Sequence, residues 1–166
     1  MSEAKRHTIS VLVENKFGVL ARVAGLFSGR GYNITSLTVN ETQDPNISNM
    51  TIVTRGDEAV LEQIEKQLNK LVNVIRVDDL TNSRFIEREL VLLKIAVTTA
   101  EDRAHIAQLV EIFEGKIVTV TKSSLGVEIS GRSDKVDNFI DMVRDFGILE
   151  MARSGRVAIS RGKLLI

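Results

Sequence analysis

The apolar pattern of this chain switches between a two-residue and a 3.6-residue period in a fixed order, and then repeats that order. Ile9, Val11 and Val13 alternate, as on one face of a strand. Val19, Leu20, Val23, Leu26 and Phe27 follow at helical spacing. Gly29 and Gly31 flank Arg30 and close that helix, because glycine tolerates the left-handed conformation of a C-terminal cap. Residues 34–41 and 50–55 read as strands joined by Gln43-Asp44-Pro45-Asn46, turn chemistry that contains the single proline. So short a turn makes the two strands antiparallel. Asp57 is placed to cap a second helix with Val60, Leu61, Ile64, Leu68 and Leu71 on its stripe. Residues 74–78 supply a fourth strand. The order β-α-β-β-α-β is the ferredoxin-like split arrangement.

Thr81-Asn82-Ser83-Arg84 breaks the pattern and marks a boundary. Residues 90–98 are apolar on both faces, as expected of a central strand covered twice. Thr98-x-x-Glu101 has capping-box spacing for a helix that buries Ile106, Leu109, Val110 and Phe113. Residues 116–121 and 127–130 form two strands around a turn at Ser123-Ser124. A fourth helix starts near Ser133-Asp134 and buries Val136, Phe139, Ile140 and Val143. Residues 147–151 and 157–160 make the last strand region, with a turn or bulge at Ser154-Gly155. The expected fold class is α+β, two tandem ferredoxin-like βαββαβ domains spanning residues 1–80 and 81–166. A single larger α+β domain is the alternative.

Composition narrows the function classes. With 43% hydrophobic residues among 166 the chain can build a core, and with 4% aromatics and no Trp that core is aliphatic. Twenty-two basic and 22 acidic residues cancel, which argues against nucleic acid or an anionic membrane held by bulk charge. The absence of cysteine removes disulfides, a thiol nucleophile and Cys-ligated zinc. No apolar run approaches the ~20 residues of a membrane span, and the first residues lack a signal peptide's apolar stretch. A soluble, cytoplasmic protein is expected.

Catalysis finds little support. His7 and His105 have no evident partners for acid–base work. Glu62, Glu65 and Lys66 read as a solvated helix face. Asp78-Asp79 alone is no metal-coordination set, and Ser123-Ser124 lacks the glycines of a nucleophile elbow. Gly29-x-Gly31 ends a helix instead of opening one, which fails the dinucleotide pattern, and no Gly-Lys-Ser/Thr stretch exists. RNA binding on a ferredoxin-like sheet needs sheet aromatics, and Met50-Thr51-Ile52-Val53-Thr54 carries none.

The turn Asn15-Lys16-Phe17-Gly18 differs from these. It opens a helix with no Ser, Thr or Asp directly before it, leaving unpaired N–H groups at a positive dipole end. Asn15 can donate and accept, Gly18 clears a side chain from the approach to backbone N–H groups, and Asn33 adds a second amide beside Gly31. The residues alone fit a purely structural turn and a small-anion site equally well.

At these residues the chain resembles the ACT domain of amino-acid metabolism and, end to end, the regulatory (small) subunits of acetolactate synthase, also called acetohydroxyacid synthase. The matching segments are Val11-Leu12-Val13-Glu14-Asn15, Gly18-Val19-Leu20-Ala21-Arg22-Val23 and Gly31-Tyr32-Asn33-Ile34-x-Ser36-Leu37-Thr38-Val39. Further along come Gln63-Ile64-Glu65-Lys66-Gln67-Leu68, Glu87-Arg88-Glu89-Leu90 and Ala152-Arg153-Ser154-Gly155. The resemblance implies a non-catalytic regulatory subunit, with the first domain an ACT domain and no cofactor in this chain. It implies a large catalytic partner carrying thiamine diphosphate, Mg²⁺ and usually FAD, enhanced by this chain and placed under feedback inhibition by branched-chain amino acids, usually valine. One methylene in an apolar pocket is worth only ~1–3 kcal/mol, so leucine or isoleucine is expected as a weaker effector. The resemblance also implies a homodimer through the ACT domains, whose effector site takes Asn15, Gly18, Val19 and Leu20 from one protomer and Asn33 and Ile34 from the other. A subunit that activates without sensing an effector is the second reading. A small hydrolase, lacking a nucleophile and a base, is the third.

Overall fold

Strand β1 (Arg6–Glu14) buries Ile9, Val11 and Val13 beneath two helices, as its alternation requires. The structure, a computed structural model, describes residues 5–162; residues 1–4, where no signal peptide is expected, lie outside the described residues. Helix α1 (Val19–Gly29) turns Val23 and Phe27 onto β1, while Leu20, counted in its apolar stripe, is 46% exposed. Strands β2 (Ile34–Glu41) and β3 (Ile47–Arg55) form the expected hairpin, its turn held by the Asp44 carboxylate accepting from Asn46 N–H at 2.9 Å. Helix α2 (Glu58–Asn69) is capped by Asp57, which accepts from Val60 N–H at 2.8 Å, and buries Leu61, Ile64 and Leu68. Strand β4 (Val74–Asp79) completes an antiparallel sheet of order β2-β3-β1-β4.

The second half builds the same order from unrelated residues. Strand β5 (Phe85–Ala96), helix α3 (Ala100–Ile112), strands β6 (Lys116–Val120) and β7 (Ser124–Gly131), helix α4 (Ser133–Val143) and strand β8 (Ile148–Arg153) give a sheet of order β6-β7-β5-β8. The chain is therefore α+β with two tandem ferredoxin-like domains. Val91, Leu93, Ile95, Val127, Ile129, Ile106, Val110, Val136, Phe139 and Val143 form the second core.

Two local expectations are corrected. The α3 capping box sits one residue later than Thr98-x-x-Glu101: Thr99 Oγ accepts from Asp102 N–H at 3.0 Å, and the Asp102 carboxylate accepts from Thr99 N–H at 3.2 Å. Both pairs have the spacing, and the one that forms is Thr99 with Asp102. β5 is not covered on both faces. Val91, Leu93 and Ile95 are buried, but Leu92 is 47% exposed and Lys94 points outward beside it. On the helix side, Glu89 is buried and accepts from Arg153 Nε at 2.5 Å, while Arg153 Nη2 donates to Asp137 at 2.9 Å. The Glu89 hydrogen bond chiefly raises the Arg153 pKa, so the guanidinium stays charged.

Strand β9 (Val157–Ser160) pairs with β5, off the main path of the second sheet, yet belongs to the first compact unit. The compact units are residues up to Ile86 together with those from Arg156 onward, and Glu87–Gly155, whereas the pattern alone suggested one cut at residue 80. Arg156 N–H donates to Ser36 Oγ at 3.3 Å, Arg161 N–H donates to the Arg84 carbonyl at 2.9 Å, and Ala158 is buried. β9 lies against β1, on the sheet face away from the helices. Thr8, Thr51 and Val53, which share that face, are accordingly buried.

Candidate functional site

The turn after β1 ends in Gly18 at φ +83°, ψ −5°, a left-handed conformation that L side chains rarely adopt. A Cβ there would meet nothing within 4 Å, so backbone geometry requires the glycine and space remains open in front of it. Helix α1 has no side-chain cap and no acid in its first turn. Val19 N–H is drawn back to the Lys16 carbonyl at 3.3 Å, and the first helical bond runs from Arg22 N–H to the Gly18 carbonyl. Gly18, Leu20 and Ala21 N–H find no acceptor among the described residues.

The other helix starts are occupied. Asp57 fills α2 and the Thr99–Asp102 box fills α3. At α4, Glu87 accepts from Ser133 N–H at 3.0 Å and from Ser133 Oγ at 2.9 Å. Only α1 presents open donors with its dipole among the four α-helices described.

Asn15 is anchored from three directions. Its N–H reaches the Asn46 carbonyl at 2.7 Å, and its Nδ2 donates to Glu41 Oε1 at 3.0 Å and to the Pro45 carbonyl at 2.9 Å. Both amide donors are thus committed within the protein, leaving Oδ1 as an acceptor. Glu41 escaped sequence reasoning because only the sheet register brings it beside Asn15. Arg22 escaped it too: it stands one turn into α1, with Nη1 on Asn73 Oδ1 at 2.6 Å. Phe17, at the tip, is fully exposed.

Asn33 and Ile34 lie at the other end of the sheet. The Asn33 carbonyl accepts from Thr54 Oγ1 at 2.7 Å, and Ile34 is in register with Thr54. Glu14 is in register with Ile47 on the same β3 strand, so the two segments are separated by roughly 23 Å of strand. One chain does not bring them together. The β2 edge that carries Asn33 and Ile34 pairs with no other strand among the described residues.

The remaining candidates take structural places. His7 is buried in β1 with Nε2 on the Gly56 carbonyl at 3.0 Å, and His105 packs edge-on against Phe146. No group of metal-ligating side chains occurs among the described residues.

A family model described as an AHAS small subunit-like ACT domain matches residues 9–76, and one described as the small subunit of acetolactate synthase matches residues 88–162. The probable acetolactate synthase small subunit of Methanothermobacter thermautotrophicus is 51% identical, covering 96% of this chain and 95% of its own. The Escherichia coli acetolactate synthase isozyme 3 small subunit is 52% identical, covering 95% of this chain and 96% of its own. The chain belongs to the acetolactate synthase small-subunit family. A crystal structure of the acetolactate synthase small subunit from Thermotoga maritima superposes with a TM-score of 0.85 at 42% identity, covering 96% of this chain and 99% of that one. The ACT match contains all six site candidates, from Asn15 to Ile34. The small-subunit match ends at residue 162 and so runs through β9, consistent with the C-terminal return belonging to the family's architecture.

Proposed function

We propose that this chain is the regulatory subunit of an acetolactate synthase: it activates a catalytic subunit and makes it sensitive to valine bound between two ACT domains. The observation that carries this reading is the open start of α1 beside a free β2 edge. If two copies pair their β2 edges antiparallel across a two-fold axis, Ile34 of one copy comes to the Glu41 end of the other. That end is where Asn15 sits. The six candidates then converge from two chains, although each chain keeps them at opposite ends of its sheet.

The chemistry suits a free amino acid. Its carboxylate would accept from the N–H groups of Gly18 and Leu20, strengthened by the helix dipole. Its ammonium would donate to Asn15 Oδ1, and Asn33 of the second copy would fix its orientation. An isopropyl group would pack on the exposed side of Leu20 and on Ile34. One methylene in such a pocket is worth only ~1–3 kcal/mol, so leucine and isoleucine should act more weakly without being rejected. Because the ligand touches both copies, it favours the pairing geometry that fits it, and that difference in affinity is the source of switching. Thiamine diphosphate, Mg²⁺ and FAD would belong to the catalytic partner, whose reaction is cytoplasmic; this chain contributes none of them.

The test is a titration of the cognate catalytic subunit's activity with this chain, with and without each branched-chain amino acid. Activation followed by inhibition strongest with valine is expected. Activation with no response to any of the three would favour the plain activating subunit, and no effect on activity would overturn the proposal.

A further inference from the structure

Strand β2 enters its sheet through an irregularity. Ile34 is in register with Thr54 and Ser36 with Val53, so the pairing passes over Thr35 between them. An extra residue of this kind is a β-bulge, and it changes which face each side chain takes. Residues two apart on a strand normally share a face. Here Ile34 faces the helices with Thr54 and packs on the first core, whereas Ser36 faces the other way with Val53. Without the bulge, Thr35 would stand opposite Thr54 and Ile34 opposite Arg55. That one-residue slip would turn Ile34 to the helix-free face.

A hydroxyl group holds the strand on each side of the bulge. Before it, Thr54 Oγ1 donates to the Asn33 carbonyl at 2.7 Å. After it, Ser36 Oγ accepts from the Arg156 N–H at 3.3 Å, a bond made across 120 residues of sequence on the face where β9 lies. We propose that Ser36 is a positioning residue for the effector site: by accepting the Arg156 N–H it holds β2 in the bulged register, and the bulge aims Ile34. Ser36 acts through Ile34, since the two side chains lie on opposite faces of the strand. This role rests on the effector reading given above and deepens it. The Ile34 wall that one copy offers to the other then depends on the C-terminal return of its own chain.

Packing alone selects the bulged register only in part. Ile34 is half-buried, so turning it away forfeits a fraction of an isoleucine's burial. Thr35 and Ser36 are both small hydroxyl residues, and neither is barred by size from the place opposite Val53. The Ser36 bond adds the bias of one neutral hydrogen bond, about fivefold. A ligand that needs Ile34 in place binds with an affinity scaled by the fraction of chains in that register.

Calorimetry of the full chain with valine tests this role, using Ser36→Ala, Ser36→Thr and Ile34→Ala. Ser36→Ala should weaken valine binding by about fivefold, and Ser36→Thr, which keeps the hydroxyl, should bind as the unaltered chain does. The double variant of Ser36→Ala with Ile34→Ala should bind no more weakly than Ile34→Ala alone, because the bulge then has no side chain to aim. A merely structural Ser36 would add its loss in both backgrounds. Unchanged affinity in Ser36→Ala, an additive double variant, or a Ser36→Thr chain as weak as Ser36→Ala overturns the role. Each of these leaves the effector reading standing, because the unaltered chain binds valine in all of them. No heat from the unaltered chain overturns both.

Discussion

The Asn15 side chain donates to the Glu41 carboxylate across 3.0 Å, joining the turn before α1 to the far end of β2. Together with the bond from the same Nδ2 to the Pro45 carbonyl, this bond fixes which way the Asn15 amide faces, and so presents its oxygen, not its nitrogen, to a ligand. Replacing Glu41 by Ala should leave the fold intact, since the residue is exposed, and should loosen the amide by leaving the Pro45 carbonyl as the only acceptor of its Nδ2. Valine affinity measured by calorimetry is expected to fall about tenfold, the loss of one charge-assisted hydrogen bond near the low end of its range. Unchanged affinity would remove Asn15 from the site.

Gly18 separates backbone strain from ligand charge. At φ +83° any L residue costs ~1–2 kcal/mol, except that Asn and Asp tolerate the conformation better. Gly18→Asp and Gly18→Asn should therefore be similarly stable in thermal melts. Only the aspartate fills the α1 start with negative charge, so it should abolish the valine response while the asparagine variant retains a weakened one. Equal responses would show that no carboxylate binds there.

In the second unit, removing Arg153 strands the buried Glu89 carboxylate. Arg153→Met should destabilise that unit by about 3 kcal/mol. The double variant with Glu89→Met should recover much of the loss, because the uncompensated charge leaves with it. Hydrogen exchange resolved by peptide would place the loss in β5, α4 and β8 and leave the first unit's protection unchanged.

Glu65 carries a pH signature. Burial pushes its carboxyl up, helped by the negative charges of Asp79 and Glu62. An acid with a raised folded-state pKa is best tolerated when protonated. Its favourable contribution is present below the unfolded value and is lost as pH rises through the folded one. Glu65→Gln should therefore raise the melting temperature slightly at neutral pH, with the advantage fading as pH falls below the carboxylate range. A pH-independent gain would point to helix propensity instead.

How far the fold could be read in advance varies with the range of the interaction. The stripe Leu61, Ile64 and Leu68 and the Asp57 cap were legible because each is set within a few residues of its own helix. The α3 box could be misplaced by one residue because Thr98 and Thr99 carry equivalent partners at the same spacing. Leu92 was misjudged for a different reason. Hydrophobicity reports that a side chain avoids water, not whether the cover comes from the same chain. The return of β9 onto the first unit was invisible, since four residues of strand pattern do not say against what they pack. In the candidate site, the vacant start of α1 could be seen from local residues, while Glu41 needed the β1-β3-β2 register to appear.

The return of the chain at Arg156 means that the second unit is an insertion within the first, fastened at both ends. A protease that cuts either connection cannot release it, because the other still holds. For the same reason, expressing the first eighty residues alone would omit the strand that shields Thr51 and Val53, leaving an incomplete version of the domain it was meant to isolate.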